Sequence, residues 1–223
     1  TENAALPFWS PDSRHIGFTR EGALYRTSVD GSVPHRLCVI PGAVQSSLFA
    51  TSAGTWGRRG VIVFSSSDGQ LFQVPDSGGT PTAVTSLDPL ASEVYHASPS
   101  FLPDGRRVLF LALTAGATTG VIWAVAIDDP ARTRVTESAG GAFYAAGELF
   151  TTTPAPRRLM AQSFDPDRLT LGGEPRQIAD QLDNPNTLGS RGFSWFPDGL
   201  VVERAAPRST SRASTRMSFT SRP

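Results

Sequence analysis

The sequence predicts an all-β chain folded as a β-propeller, and three observations carry that reading. An aromatic–Pro-Asp segment is written three times, four columns of residues recur at one spacing, and short apolar runs alternate with turn residues with no helical stripe between them. The repeated segment is "FWSPDSRHIGF" at Phe8–Phe18, rewritten as "SFLPDGRRVLF" at Ser100–Phe110 and "SWFPDGLVV" at Ser194–Val202. Trp9, Trp56 and Phe101 stand 47 and 45 positions apart, and Phe18, Phe64 and Phe110 stand 46 and 46 apart. Tyr25, Phe72 and Trp123 follow at 47 and 51, and Leu37, Val84 and Val135 repeat those two intervals.

Each period reads as four short strands. In the first they are expected at Phe8–Ser10, Arg14–Thr19, Ala23–Val29 and Pro34–Ile40, broken by "PDS", "REG" and "DGSV". The second holds "GTW", "GVIVFS", "QLFQV" and "TAVTSL"; the third holds "PSFL", "RRVLFLAL", "VIWAVAI" and "RTRVTE". A fourth, more degenerate period reads "AFYAAGELFTTTP", "RRLMAQSFD" and "EPRQIADQL", and a fifth opens at "GFSWFPDGLVVE". The blades so delimited are 7–42, 54–88, 96–138 and 141–181, with the start of another at 193–203. Pro presets φ at the first corner of a tight turn, and the following Asp bonds nearby backbone N–H groups, which explains the Pro-Asp pairs without any catalytic role. A single four-stranded blade cannot bury its apolar faces alone; neighbours stacked radially do so and leave only short edges.

The totals allow one large globular domain or two small ones. The chain has 223 residues, 39% of them hydrophobic, with 21 Gly and 18 Pro to supply many turns. Net charge is zero, so no field points to nucleic acid, and all 20 basic residues are Arg. The one cysteine, Cys38, excludes an internal disulfide and a cysteine-based zinc cluster; in the apolar run "LCVI" it reads as a small buried hydrophobe. No stretch reaches the ~20 apolar residues of a membrane span, and no signal peptide is visible. The chain begins at Thr1 and is expected to be a piece of a longer protein. From Arg204 the strand rhythm fails: residues 204–223 are Arg/Ser/Thr-rich without an acid and are expected to be disordered or aberrant, while residues 1–203 form the propeller fragment.

The residues able to do chemistry do not assemble into a recognisable catalytic constellation. His15, His35 and His96 have no metal-ligand spacing, no GxSxG elbow is present, and no metal or cofactor is expected. Asp128–Asp129 and the acids of "FDPDR", Asp165 and Asp167, fall in turns rather than a cleft. His15 is placed on an exposed face of a second strand, and His35 at the opening of a fourth. His96 is placed in a loop before a first strand, with a structural hydrogen-bonding role preferred over ligand contact. Trp56, Trp123 and Trp195 recur in a pattern that favours interblade core over a binding face.

The motifs "FWSPDSRHIGF", "VDGSVPHRL", "SPSFLPDGRRVLFLA", "LMAQSFDPDRLTLGGEPRQIAD" and "FSWFPDG" resemble the WD40-like repeats of TolB-type propellers, above all the C-terminal propeller of bacterial membrane-anchored serine/threonine protein kinases. The resemblance covers roughly residues 1–203. It implies a noncatalytic propeller that follows a kinase domain and a membrane span and faces the periplasm or cell exterior. No kinase motif occurs in the chain itself, and any membrane attachment would come through a missing anchor. About four blades plus the start of a fifth are fewer than the roughly six expected of a complete ring, so an incomplete propeller with open faces is expected. The resulting expectation is a binding or sensor module for a protein, peptide or small ligand, with Trp56, Tyr95 and His96 as candidate loop or channel contacts. The alternative is the substrate-gating propeller of a prolyl oligopeptidase-type serine peptidase whose catalytic domain is absent.

Overall fold

The computed structural model describes residues 4–42 and 54–180 in full and, as backbone strands only, 193–196, 199–204 and 213–217. The first sheet comprises β1 (Ala5–Trp9), β2 (His15–Arg20), β3 (Ala23–Ser28) and β4 (His35–Val39). The second holds β5 (Thr55–Trp56), β6 (Val61–Ser65), β7 (Leu71–Pro75) and β8 (Thr82–Ala83), and the third β9 (Glu93–Phe101), β10 (Arg107–Thr114), β11 (Gly120–Ala126) and β12 (Asp129–Ser138). The fourth holds β13 (Phe143–Ala145), β14 (Glu148–Thr152), β15 (Leu159–Asp165) and β16 (Thr170–Ala179), and the last β17 (Phe193–Phe196), β18 (Gly199–Arg204) and β19 (Ala213–Met217). Every sheet is an antiparallel meander in chain order, the arrangement of propeller blades. The described sheets do not close into a ring.

The repeat placed most strands within a few residues, with instructive departures. The opening strand of the third blade was expected at "PSFL", but β9 begins six residues earlier, at Glu93. A β-bulge permits this: Ser98 takes a positive φ of 51, and the β9–β10 register slips between Leu109 and Leu111. Pro99 sits beside that bulge, where its missing N–H does not interrupt a regular ladder. Within the stretch expected to be disordered or aberrant, Ala213–Met217 pairs antiparallel with β18.

The Pro-Asp turns are held by their aspartates. Asp12 Oδ1 accepts the Arg14 N–H at 3.0 Å and the Ser10 hydroxyl at 2.6 Å. Asp104 Oδ1 accepts the N–H groups of Arg106 and Arg107, both at 2.9 Å. Asp165, which precedes its proline instead of following it, caps its turn the same way, its Oδ1 accepting the N–H groups of Asp167 and Arg168 at 2.9 and 3.0 Å. The Ser10 hydroxyl also accepts the His15 N–H at 2.8 Å. Ser66 repeats this arrangement with Asp68 and Gln70, although "SSDG" carries no proline. Asp198 lies outside the described residues.

Alternation along each second strand divides the core into layers. Ile62 and Phe64 of β6 pack toward the first sheet with Phe8, Leu24, Trp56 and Val74. Val63, between them, packs toward the third sheet with Val108, Phe110 and Val125. In β10, Val108, Phe110 and Ala112 share that layer, whereas Leu109, Leu111 and Leu113 face Leu149 and Phe164 of the fourth sheet. Each fully buried aliphatic or phenyl side chain contributes about 1.5–3 kcal/mol. Trp9 departs from its column: it is 43% exposed, whereas Trp56 is buried against the first sheet.

Gly17 marks the tightest approach in the first sheet, because a Cβ there would run into the Phe8 ring. Gly17→Ala is therefore expected to destabilise the protein by about 1–3 kcal/mol through overpacking. Gly172→Ala, whose nearest neighbouring atom is 3.7 Å away, should stay within about 0.5 kcal/mol in the same urea titration.

Candidate functional site

The bulge that lengthens β9 carries His96 out of the expected loop and into the layer between the second and third sheets. It is wholly buried, and Tyr95 beside it is only 7% exposed. Both lie within β9 rather than in a loop. Trp56 is likewise not a loop residue: it lies in β5, buried, and its indole Nε1–H donates to Asp76 Oδ2 at 3.2 Å. His15 opens β2, half-buried rather than on an exposed face, and His35 opens β4 as the sequence indicated. Trp123 lies on β11, half-buried, and the Trp195 side chain lies outside the described residues.

His96 is the centre of a continuous hydrogen-bonded chain. Thr85 Oγ1, just after β8, stands 2.8 Å from His96 Nδ1 and accepts the Leu71 N–H of β7 at 3.0 Å. His96 Nε2 stands 3.1 Å from Glu93 Oε2. The two carboxylate oxygens of Glu93 accept Arg132 Nη1–H at 2.8 and 3.0 Å, and Oε2 also accepts the Asp88 N–H at 2.8 Å. One proton arrangement satisfies every group. Leu71 N–H donates to Thr85 Oγ1, the Thr85 O–H donates to Nδ1, and Nε2–H donates to Glu93, so His96 is the neutral Nε2–H tautomer. Its backbone is tied as well: His96 N–H donates to the Gly69 carbonyl at 2.7 Å, and its own carbonyl accepts the Ser65 hydroxyl at 2.9 Å.

The electrostatics follow from burial. Burial pushes the His96 pKa below its ordinary 6.5, and the neighbouring Glu93 only partly offsets this. Burial alone would raise Glu93, but hydrogen bonds from Arg132, the Asp88 N–H and His96 outweigh it and hold the carboxyl below its ordinary value of 4.5. Both shifts act in one direction. The stability due to neutral His96 is complete above about pH 6.5 and is lost as pH falls through its lowered folded value. That due to ionised Glu93 is complete above about pH 4.5 and is lost further into acid. Arg132 is held on two further sides, with its guanidinium carbon 4.5 Å from the Trp123 ring centroid and Nη2 3.6 Å from Asp88 Oδ2.

Beside this chain opens a cavity of about 300 Å³ lined by Thr85, Ser86, Leu87, Asp88, Pro89, Pro130 and Arg132. The β8–β9 connection therefore supplies most of the wall. The Asp88 carbonyl accepts the Glu93 N–H at 3.1 Å, and Asp88 Oδ1 accepts the Leu90 N–H at 2.9 Å, which fixes the connection's second half. Leu90, at 97% exposure, and Val94 stand at the surface nearby in sequence. Cys38 is distant from this chemistry, and burial pushes its thiol up to about 11. Among the described residues, no three His, Cys, Asp or Glu side chains converge to hold a metal. Glu93, Arg132 and Thr85 were not singled out from sequence, because their partners arrive from other strands.

Glu93→Gln removes the charge that compensates a largely buried guanidinium. It is expected to cost about 2–4 kcal/mol in urea unfolding, somewhat below a fully buried pair because Arg132 keeps some contact with water. Arg106→Ala, which breaks the exposed pair with Asp128, should cost under about 1 kcal/mol in the same measurement.

Comparison with known proteins supports the architecture. No family model matches the chain. It is 24% identical to an uncharacterized protein of Agrobacterium fabrum over 86% of this chain and 81% of that protein. Among solved structures, a protein of Agrobacterium tumefaciens assigned as a TolB superposes with a TM-score of 0.65 at 20% identity, covering 97% of this chain and 77% of the other. A puromycin-hydrolyzing peptidase of Mycobacterium tuberculosis superposes with a TM-score of 0.61 at 14% identity, covering 96% of this chain and 36% of the peptidase. At such identities the likeness speaks for the fold, and by fold this chain is a β-propeller.

Proposed function

We propose that this chain is a noncatalytic binding or sensor module that contacts a protein, peptide or small ligand at the connections between its sheets. The observation that carries the reading is the pairing of an open cavity with a polar chain whose donors and acceptors are committed to one another. Thr85, His96, Glu93 and Arg132 hold the β8–β9 connection in place and offer the cavity a shaped wall rather than a free base or nucleophile. Tyr95, His96 and Trp56 then act from behind the surface. Ser86 and Leu90, both exposed, are the contact positions. The protein setting we favour is the extracytoplasmic end of a bacterial serine/threonine kinase, on the strength of the motif order through "LMAQSFDPDRLTLGGEP".

A second reading is favoured by one specific observation. The chain superposes on about a third of a peptidase, as a substrate-gating propeller would. Coding sequence on either side separates the two: a kinase domain and membrane span upstream support the first, and a downstream GxSxG domain the second.

Partner selection from a displayed peptide library, followed by titration of Ser86→Tyr and Leu90→Glu, tests the binding surface. Weakening of at least about tenfold with an unchanged melting temperature is expected if the rim makes the contact. Unchanged affinity in both variants would remove the cavity mouth from the binding surface.

A further inference from the structure

We propose that the Thr85–His96–Glu93–Arg132 chain is an acid-released latch on the β8–β9 connection, so that protonating the His96 ring frees the wall of the adjacent cavity. The proposal names a regulation of the site described above and rests on that reading only for the cavity's purpose; the latch itself concerns the connection alone.

The geometry leaves no neutral way to accept a proton. Nδ1 is the one ring position without a hydrogen, and it faces Thr85 Oγ1 at 2.8 Å. That hydroxyl already accepts the Leu71 N–H. Once Nδ1 carries a proton, Thr85 must rotate its own hydrogen away into a site where the residue is only 8% exposed to water. An oriented buried donor would then lack its acceptor. The Thr85–His96 bond is thereby reversed, with Nδ1–H donating to Oγ1, and it is weakened by the hydroxyl hydrogen it displaces.

The charges around the ring are divided, Glu93 favouring a protonated ring and Arg132 opposing it. Glu93 from β9 faces Nε2, and Arg132 from β12 faces the same carboxylate; Asp88 of the connection reaches Arg132 at 3.6 Å. Ser65 from β6, Leu71 from β7 and Phe110 from β10, whose ring centroid is 4.8 Å away, bring no charge. A protonated His96 would place two cations on the one buried carboxylate that also holds the Asp88 N–H. Arg132 is the partner able to leave, because its side chain keeps 21% exposure whereas His96 has none. Release of Arg132 from Glu93 loosens the cavity wall at Pro130–Arg132, and the displaced Thr85 hydroxyl hydrogen weakens it at Thr85–Pro89. Ser92 supplies a reason for movement, since its positive φ of 54 is a strained conformation for a non-glycine residue and relaxes when the turn is freed.

Amide hydrogen exchange on the 223-residue chain, corrected for intrinsic chemistry, reads the latch without any ligand. Between about pH 7.5 and pH 5.5, protection of Leu71, Val84 and the 85–93 connection should fall by at least about tenfold, while β14 and β15 keep theirs. His96→Gln retains a donor toward Glu93 and cannot be protonated, so its exchange should lose this pH dependence. Ring-nitrogen NMR of the unaltered protein gives a second readout that needs no variant. A neutral Nε2–H tautomer at neutral pH, charging only below pH 6.5, is expected. A pH-independent connection, an equal loss in all sheets, or an Nδ1–H or charged ring at neutral pH would each overturn the proposal. Failure of peptide binding with the exchange pattern intact would instead remove the binding reading and leave the latch standing.

Discussion

Everything in this fold depends on sheets finding neighbours for both faces. Each four-stranded meander is too thin to enclose a core, so its stability is collective: the second sheet supplies Ile62 and Phe64 to one side and Val63 to the other, and the third does likewise from β10. The strict alternation of β10 makes the arrangement sensitive to register, because a slip of one residue would exchange the layer facing the second sheet for the layer facing the fourth. The bulge at Ser98 satisfies this constraint while letting β9 continue, and that continuation brings His96 into the layer.

The site follows from the same requirement. His96, Thr85 and Glu93 bring polar groups into the otherwise mainly apolar layer between the second and third sheets, and a buried polar group is costly without partners. The partners come from β7, the connection, β9 and β12. The polar chain therefore specifies how the two sheets sit together in a way that methyl groups could not, since apolar contacts tolerate sliding and directional ones do not. It also makes the docking of one sheet on another dependent on protonation state.

Much of the fold was legible because the features that define it are local. The Pro-Asp turns, the repeating Phe18, Phe64 and Phe110, and the period-two strands are each readable within a dozen residues. Asp12 and Asp104 bind the backbone two or three positions on, as their turn context implied. The opening strand of the third blade was misplaced because Pro99 resembles a strand boundary, and a bulge is invisible without its partner strand. His96 was read as a hydrogen-bonding residue, and its bonds to Thr85 and Glu93 fit that role, but its loop placement failed with the strand boundary. Arg132 and Glu93 are 39 positions apart, and no periodicity links them; only the docking of β12 beside the connection does. Trp9 fits the repeat yet stays exposed, because a column in a repeat predicts burial only when the neighbouring sheet is there to provide it.

Among the described residues, the outer strands β12 and β16 are the longest at ten residues each, whereas β8 has two. Long outer strands are templates on which a foreign chain can add a strand of its own. β12 carries Pro130, Arg134 and Glu137, and β16 carries Glu174, Pro175 and Arg176, so each rim combines a missing donor with charges of both signs. β8 is too short to template anything. Crowding with like molecules would therefore meet a perimeter built to refuse strand exchange, and self-recognition would be steered away from the rim toward the flat faces of the sheets.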